Sequence, residues 1–264
     1  MSSVLLYPLG VGDSATVRHW WTHLLLDVGG GRRVFVDCPG KFDAMLAQNA
    51  RDGELPVAAG DYREVLLTHI HTDHDDGCRE LAENPPAWLG RGERIRLYGP
   101  PFVLDALWSE GPPPAYSTNA SMIRGGAAAL DRVFEPVPLD GEDRPHDLGG
   151  FTVTWRKGRH SPQAVGYKFD FGGVVLAYSA DTGTLPAFQQ WLDAGSDVVV
   201  HEVHLGEVHD YIPDLHTPLA DLLALPESFQ RKTLLCHYAD DFERYPDIGA
   251  YRYLRQNKVY RLFA

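Results

Sequence analysis

The segment Thr68-His-Ile-His-Thr-Asp-His-Asp-Asp-Gly77 constrains this chain more than any other stretch. It follows directly on Glu64-Val-Leu-Leu-Thr68, a short apolar run of the kind that becomes a buried strand. A strand that ends at His69 delivers polar side chains to a sheet edge, where a rigid scaffold holds loops in place. His69, His71, Asp73 and His74 then fall within one short loop. In a tight loop they can converge on a small volume. Neutral imidazole and carboxylate are donors that zinc and its neighbours accept, at about 2.0–2.2 Å. Taken alone, the same composition also suits a solvated polar loop, or a histidine-rich tract that binds metal adventitiously.

The flanking sequence reads as strands with interspersed helices. Val4 to Leu9, Thr22 to Leu26 and Arg33 to Asp37 are expected as strands, the last two joined by the turn Gly29-Gly30-Gly31. A helix is expected from about Lys41 to Asn49. The second half repeats this grammar, with strands at Phe151 to Trp155, Val165 to Phe171, Val174 to Tyr178, Asp197 to Val200 and Thr233 to Leu235. Helical segments are expected near Leu185–Ala194 and Pro218–Leu225. That alternation predicts a layered α/β architecture of packed sheets in two similar halves. Residues 109–131, with Gly111-Pro-Pro-Pro114 and Gly125-Gly-Ala-Ala-Ala129, break the pattern. We read residues 1–264 as a single domain and 109–131 as its insertion, a lid or a dimer contact.

Charge and cysteine usage narrow the partners. The formal net charge of −12 weighs against a long polyanion, because nucleic-acid affinity rests on basic contacts to phosphates. Cys38, Cys78 and Cys236 form no CxxC pair and suit a reducing compartment. No window approaches the roughly 18 apolar residues of a membrane span, and the start lacks the basic and apolar regions of a signal peptide. The expectation is a cytoplasmic protein.

His69-x-His71-x-Asp73-His74 resembles the HxHxDH signature of the metallo-β-lactamase superfamily. Its companions follow in order. His160 in Gly158-Arg-His-Ser resembles the third histidine position, Asp181 in Ser179-Ala-Asp-Thr182 the bridging aspartate, and His237 in Leu235-Cys-His-Tyr238 the last histidine. Asp37 resembles the early aspartate that supports the site without ligating metal. The resemblance implies a four-layer αβ/βα sandwich of the metallo-β-lactamase type. It implies that His69, His71 and His160 hold one divalent ion, that Asp73, His74 and His237 hold a second, and that Asp181 lies between them. Zinc is the expected metal, with manganese or iron as alternatives. Two such ions about 3.5–4 Å apart can share a hydroxide nucleophile.

A further resemblance points to the ribonuclease Z-like phosphodiesterase branch. Val200-His201-Glu202-Val203-His204 looks like its HEAT motif, with Val-His in place of Ala-Thr. His216-Thr217-Pro218 looks like its HST motif, with Thr-Pro in place of Ser-Thr. The resemblance implies that Glu202 orients His216, which protonates the departing oxygen, so that Asp73, Glu202 and His216 form the catalytic set. Apart from it, Glu202 reads as a strand-end charge and His216 as a residue of a loop beside a helix. His201, His204 and His209 read as ordinary loop histidines.

Leu97-Tyr-Gly-Pro100 also resembles the tRNA 3′-processing enzymes of this branch. Residues 75–159, however, carry no concentrated basic arm. A small phosphodiester such as a cyclic nucleotide therefore fits better, as in the compact bacterial and viral relatives. The rival readings are a tRNA 3′-endonuclease, a lactone, ester or β-lactam hydrolase, and a non-catalytic metal-binding sensor. A homodimer is implied by the resemblance alone. Trp20, Trp21 and Tyr116 can stack on a base, pack in a core or form a dimer contact. Gly10-Val-Gly12-Asp-Ser14 is expected to let the backbone pass close to the site.

Overall fold

Consecutive buried positions mark the strands of the computed structural model, which describes residues 4–206 and 215–263. In β1 (Val4–Gly10), β2 (His23–Asp27) and β3 (Arg33–Val36), runs such as Leu24-Leu25-Leu26 and Val34-Phe35-Val36 lose all but a trace of solvent contact. Burial on successive residues means that both faces of the sheet are covered. Each such side chain contributes roughly 1.5–3 kcal/mol.

The chain divides into two compact units. The first comprises residues 4–10, 22–140 and 256–263. Beyond β3 it contains α1 (Phe42–Asp52), β4 (Glu64–Leu66), α2 (Thr72–Glu83), β5 (Ile95–Gly99), α3 (Pro101–Trp108), α4 (Gly126–Val133) and β6 (Phe134–Pro138). The C-terminal strand Tyr260–Phe263 pairs with β1 at the sheet's first edge. From that edge the order is C-terminal strand, β1, β2, β3, β4, β5, β6. The pairings are antiparallel as far as β3 and parallel from β3 to β6. Glu64 pins the start of β4. It is 4% exposed, and Arg32 and Arg96 ion-pair with it at 2.6 and 2.7 Å.

The second unit, residues 11–21 and 141–255, repeats this plan. It contains β7 (His146–Asp147), β8 (Thr152–Lys157), β9 (Val165–Asp170), β10 (Val175–Tyr178), α5 (Pro186–Asp193), β11 (Val198–Glu202), α6 (Leu219–Leu223), α7 (Glu227–Arg231), β12 (Thr233–Cys236) and β13 (Arg252–Tyr253). The sheet runs β7 to β13 in sequence order, antiparallel as far as β10 and parallel beyond. The two similar halves expected from the sequence are thus two mixed sheets, each with helices in its parallel crossovers. In parallel sheets, ligands gather outside the carboxyl ends of the strands.

One expectation needs correction. The metal motif does not lie in one tight loop, because α2 begins at Thr72 and carries Asp73 and His74 in its first turn. His74, Gly77, Cys78 and Leu81 then follow a helical spacing and are all buried. Within residues 109–131 part of the chain is regular. Asn119 caps a short 3₁₀ turn, Ala120–Met122, by accepting from the Ser121 N–H, and most of α4 follows. The segment backs the motif within the first unit. Thr72 N donates to the Tyr116 carbonyl and Thr118 N to the Ile70 carbonyl, at 2.9 and 3.0 Å. No helix of the described residues is long and apolar enough to cross a membrane.

Candidate metal centre and acid–base pair

In the first unit the ligand candidates sit at the carboxyl ends of β3 and β4. Asp37 follows β3 with a left-handed backbone (φ 68°), a conformation uncommon outside glycine and typical of functional sites. Its Oδ1 accepts the Thr68 N–H and hydroxyl, both at 2.8 Å. Its Oδ2 lies 2.8 Å from His74 Nδ1. Burial pushes the Asp37 carboxyl up, while His74 and Thr68 pull it back. A proton on His74 Nδ1 makes Nε2 its lone-pair nitrogen, 3.6 Å from Asp73 Oδ2. Thr68 Oγ1 spends its own proton on Asp37 and so accepts from His69 Nδ1 at 2.9 Å. His69 Nε2 then faces His71 Nδ1 at 3.2 Å. His69 and His74 are completely buried, Asp73 is nearly so, and His71 is half-buried.

The second unit draws its candidates from widely separated loops. His160 lies between β8 and β9, Asp181 just past β10, Glu202 at the end of β11 and His237 directly after β12. Ala180 and His237 also adopt left-handed backbones, φ 50° and 54°. Asp181 Oδ2 lies 3.8 Å from His160 Nε2 and 3.5 Å from His237 Nε2. His160 Nδ1 donates to the Leu215 carbonyl at 2.7 Å, again leaving Nε2 as the lone-pair nitrogen. Metal-bound histidines characteristically have the opposite ring nitrogen held by a carboxylate or carbonyl. Both units meet that condition, and their buried imidazole and carboxylate donors fit a zinc-like ion.

Beside this cluster stands a separate pair. Glu202 Oε2 is 3.4 Å from His216 Nδ1, and Asp181 Oδ2 is 3.9 Å from the same nitrogen. Burial pushes the His216 imidazole down, but the two carboxylates, Glu202 foremost, outweigh it and hold its pKa above the ordinary value. The His216 ring stacks on His237 at 5.1 Å and lies near-parallel to His204 at 6.4 Å. His204 N donates to the Thr217 carbonyl at 2.9 Å, docking the 216–218 segment on the end of β11.

A cavity of about 190 Å³ opens here, lined by Asp13, Ser14 and Ala15 together with Glu202, His204, His216 and His237. The Gly10–Ser14 stretch therefore supplies a wall of this cavity. Gly12 has no room for a side chain, since a Cβ would collide with the Thr16 side chain.

The other candidates are placed as follows. His201 is buried, its Nδ1 donating to the Glu202 carbonyl at 2.7 Å, whereas His204 lines the cavity. His209 lies outside the described residues. Trp20 and Trp21 are half-buried, and the Trp20 carbonyl accepts from Val11 and Gly12. Tyr116 is 85% exposed. The three cysteines are free and buried. Sequence reasoning passed over Thr68 and Thr182 as supports, although each adjoins a ligand candidate. It also gave no role to Asp75, whose fully buried carboxyl is pushed well up by burial and by Asp76.

Comparison with known proteins fixes the class. The chain superposes on the metallo-β-lactamase-fold protein YhfI from Bacillus subtilis with a TM-score of 0.73, at 16% identity, covering 98% of this chain and 100% of that one. It superposes on a diphosphatase of the PhnP family at 0.68 and 16% identity, covering 97% of each chain. The human short-form tRNase Z gives 0.66 at 16% identity, covering 98% and 100%. The chain has the metallo-β-lactamase fold. A family model described as Anti-Pycsar protein Apyc1 matches residues 4–260, and the chain belongs to that family. Its relatives of that name include one from Paenibacillus sp. (strain J14), 30% identical over 97% of this chain and 98% of the other. Another, from Bacillus phage BSP38, is 23% identical over 96% of each. The chain is accordingly a metal-dependent hydrolase.

Proposed function

We propose that this hydrolase is a two-metal phosphodiesterase acting on cyclic nucleotides or similar small phosphodiesters. The observation that carries the reading is the Glu202–His216 pair, 3.4 Å apart on the wall of a cavity beside Asp181 and His237. An ester, lactone or β-lactam hydrolase has less need of such a pair. Opening a cyclic phosphodiester expels a sugar alkoxide, a poor leaving group that gains from a positioned acid. The matched relatives also come from bacteria and Bacillus phages, in keeping with the compact phosphodiesterases that the sequence resembles.

In this reading His69, His71 and His160 would hold one ion and Asp73, His74 and His237 the other, with Asp181 a candidate ligand to both. Zinc is our expected occupant. Bound, the ions supply Lewis acidity toward the phosphoryl oxygens and lower the pKa of water toward ~7. The remaining work falls to the chain. Glu202 holds the Nδ1 proton of His216 and so presents Nε2 to the leaving oxygen. As water's oxygen bonds to phosphorus and its proton passes to solvent, the P–O bond to the sugar breaks and that oxygen takes the proton from His216. The cyclic substrate thereby opens to a linear nucleotide monophosphate, and His216 is reprotonated from solvent. We further propose a cytoplasmic homodimer, with the 109–131 segment as its contact.

The test is hydrolysis of bis(p-nitrophenyl) phosphate, cyclic mononucleotides and a precursor tRNA by protein of known metal content. Cyclic nucleotide opening without tRNA cleavage is expected. Accurate tRNA cutting, or full metal loading with no phosphodiester turnover, overturns the reading.

A further inference from the structure

We propose that Thr217 is a positioning residue whose hydroxyl ties the backbone after Asp181 to the backbone after His216 and thereby aims Glu202 at the His216 imidazole. The inference rests on the general-acid reading of His216 given above.

The geometry is a closed loop of contacts around one carboxylate. Glu202 Oε1 accepts two backbone N–H groups, Thr217 N at 2.6 Å and Thr182 N at 3.3 Å. The Thr217 hydroxyl donates to the Thr182 carbonyl at 2.7 Å, so the two donors are fastened to each other as well as to the carboxylate. Thr182 Oγ1 in turn accepts the Arg159 N–H at 3.0 Å, one residue before His160. The Glu202 backbone is fixed separately, its N–H donating to Ser179 Oγ at 2.9 Å. With Oε1 taken by the amides, Oε2 is left to face the His216 imidazole, 3.4 Å from Nδ1. Glu202, Thr182 and Thr217 are all essentially buried, so water does not replace a lost contact.

The alternative is that Thr217 merely packs. It lines a cavity of about 210 Å³ with Leu222, Leu225 and Phe229, so the near-isosteric valine has room. Thr217→Val removes the hydroxyl and keeps the backbone donor and the shape, while Thr217→Ser keeps the hydroxyl. A purely structural defect slows every substrate alike. A misaimed acid slows only substrates whose leaving group needs protonation.

The experiment compares the metal-loaded wild type with the T217V, T217S and H216A variants. The substrates are a 3′,5′-cyclic nucleotide, with an alkoxide leaving group, and bis(p-nitrophenyl) phosphate, with an activated aryl one. For T217V we expect about a 10-fold loss of kcat on the cyclic nucleotide, less than about 2-fold on the aryl diester, and unchanged KM and metal content. T217S should restore the rate. Equal loss on both substrates, or a serine variant as slow as the valine one, overturns the inference. If H216A also slows both substrates equally, the general-acid reading has failed, and the role of Thr217 fails with it. If H216A discriminates between them and T217V does not, only the Thr217 inference is wrong.

Discussion

The two units share a sheet plan but differ in how they hold their histidines. In the first unit, His69, His71, Asp73 and His74 leave one strand end within six residues, and a buried carboxylate braces them. Asp37 bonds His74 directly and His69 through Thr68. In the second unit, His160, Asp181 and His237 arrive from three separated loops, and the brace on His160 is a backbone carbonyl, that of Leu215. A carboxylate brace raises the basicity of its imidazole more than a neutral carbonyl does. The first unit therefore looks built for metal affinity. The second gathers Asp181 and the Glu202–His216 pair, to which the proposed function assigns the chemistry.

The largest test of that contrast is Asp181→Ala. Asp181 stands within 4 Å of His160, His216 and His237. Its loss should strip one or both ions and abolish hydrolysis of every substrate. Metal analysis beside an activity assay checks this, and an active variant with full metal content removes Asp181 from the centre. The next effect belongs to His216→Ala. It should leave metal content intact and slow cyclic nucleotides by roughly 10²–10⁴-fold, with a much smaller loss on the aryl diester.

Asp37→Asn turns the comparison to the first unit. Asparagine keeps the shape but loses the charge opposite His74 Nδ1. Metal affinity should fall by about 10–100-fold, measured by competition with a chelator. Treatment of the wild type with that chelator should remove activity, and added zinc should restore it. An unchanged affinity in the variant means the carboxylate brace does not distinguish the units.

The same contrast explains what was legible in the sequence. The first unit's ligand candidates are nearly contiguous, so their density alone signals a candidate site. What the residues concealed there was local: Asp73 and His74 already belong to α2, because a polar stretch can begin a helix whose buried face appears only at Cys78 and Leu81. The second unit's candidates lie apart in sequence, and only resemblance to a family put His160, Asp181 and His237 together. Strand β6 went unseen because Pro136 and Pro138 argue against a strand. It forms the edge of its sheet, where proline is tolerated. Strand β5 was noticed only as Leu97-Tyr-Gly-Pro100, a resemblance rather than an element.

The smallest expected effect concerns the cores rather than the site. Among the described residues, each unit also buries a histidine outside the ligand candidates, His23 in the first and His201 in the second. His23 packs against Phe35 and Tyr62, with Nδ1 3.4 Å from Met45 Sδ, and burial lowers its pKa to about 3. Burial lowers that of His201 too, but its bond to the Glu202 carbonyl and the nearby Glu202 carboxylate oppose the shift. Below pH ~6.5 the unfolded chain protonates both residues, while the folded chain resists at each. The stabilising contribution of a neutral His23 is thus complete above pH ~6.5 and is lost as pH falls toward 3, at about 1.4 kcal/mol per pH unit. Between pH 7 and 5 this amounts to roughly 2 kcal/mol. His23→Leu should remove that part of the acid sensitivity, as read by denaturant unfolding at the two pH values. Hydrogen exchange at pH 5 should show the His23→Leu variant protecting the amides of β2 and β3 better than the wild type. Unchanged exchange in the variant means that the buried His23 imidazole does not set the acid sensitivity of that core.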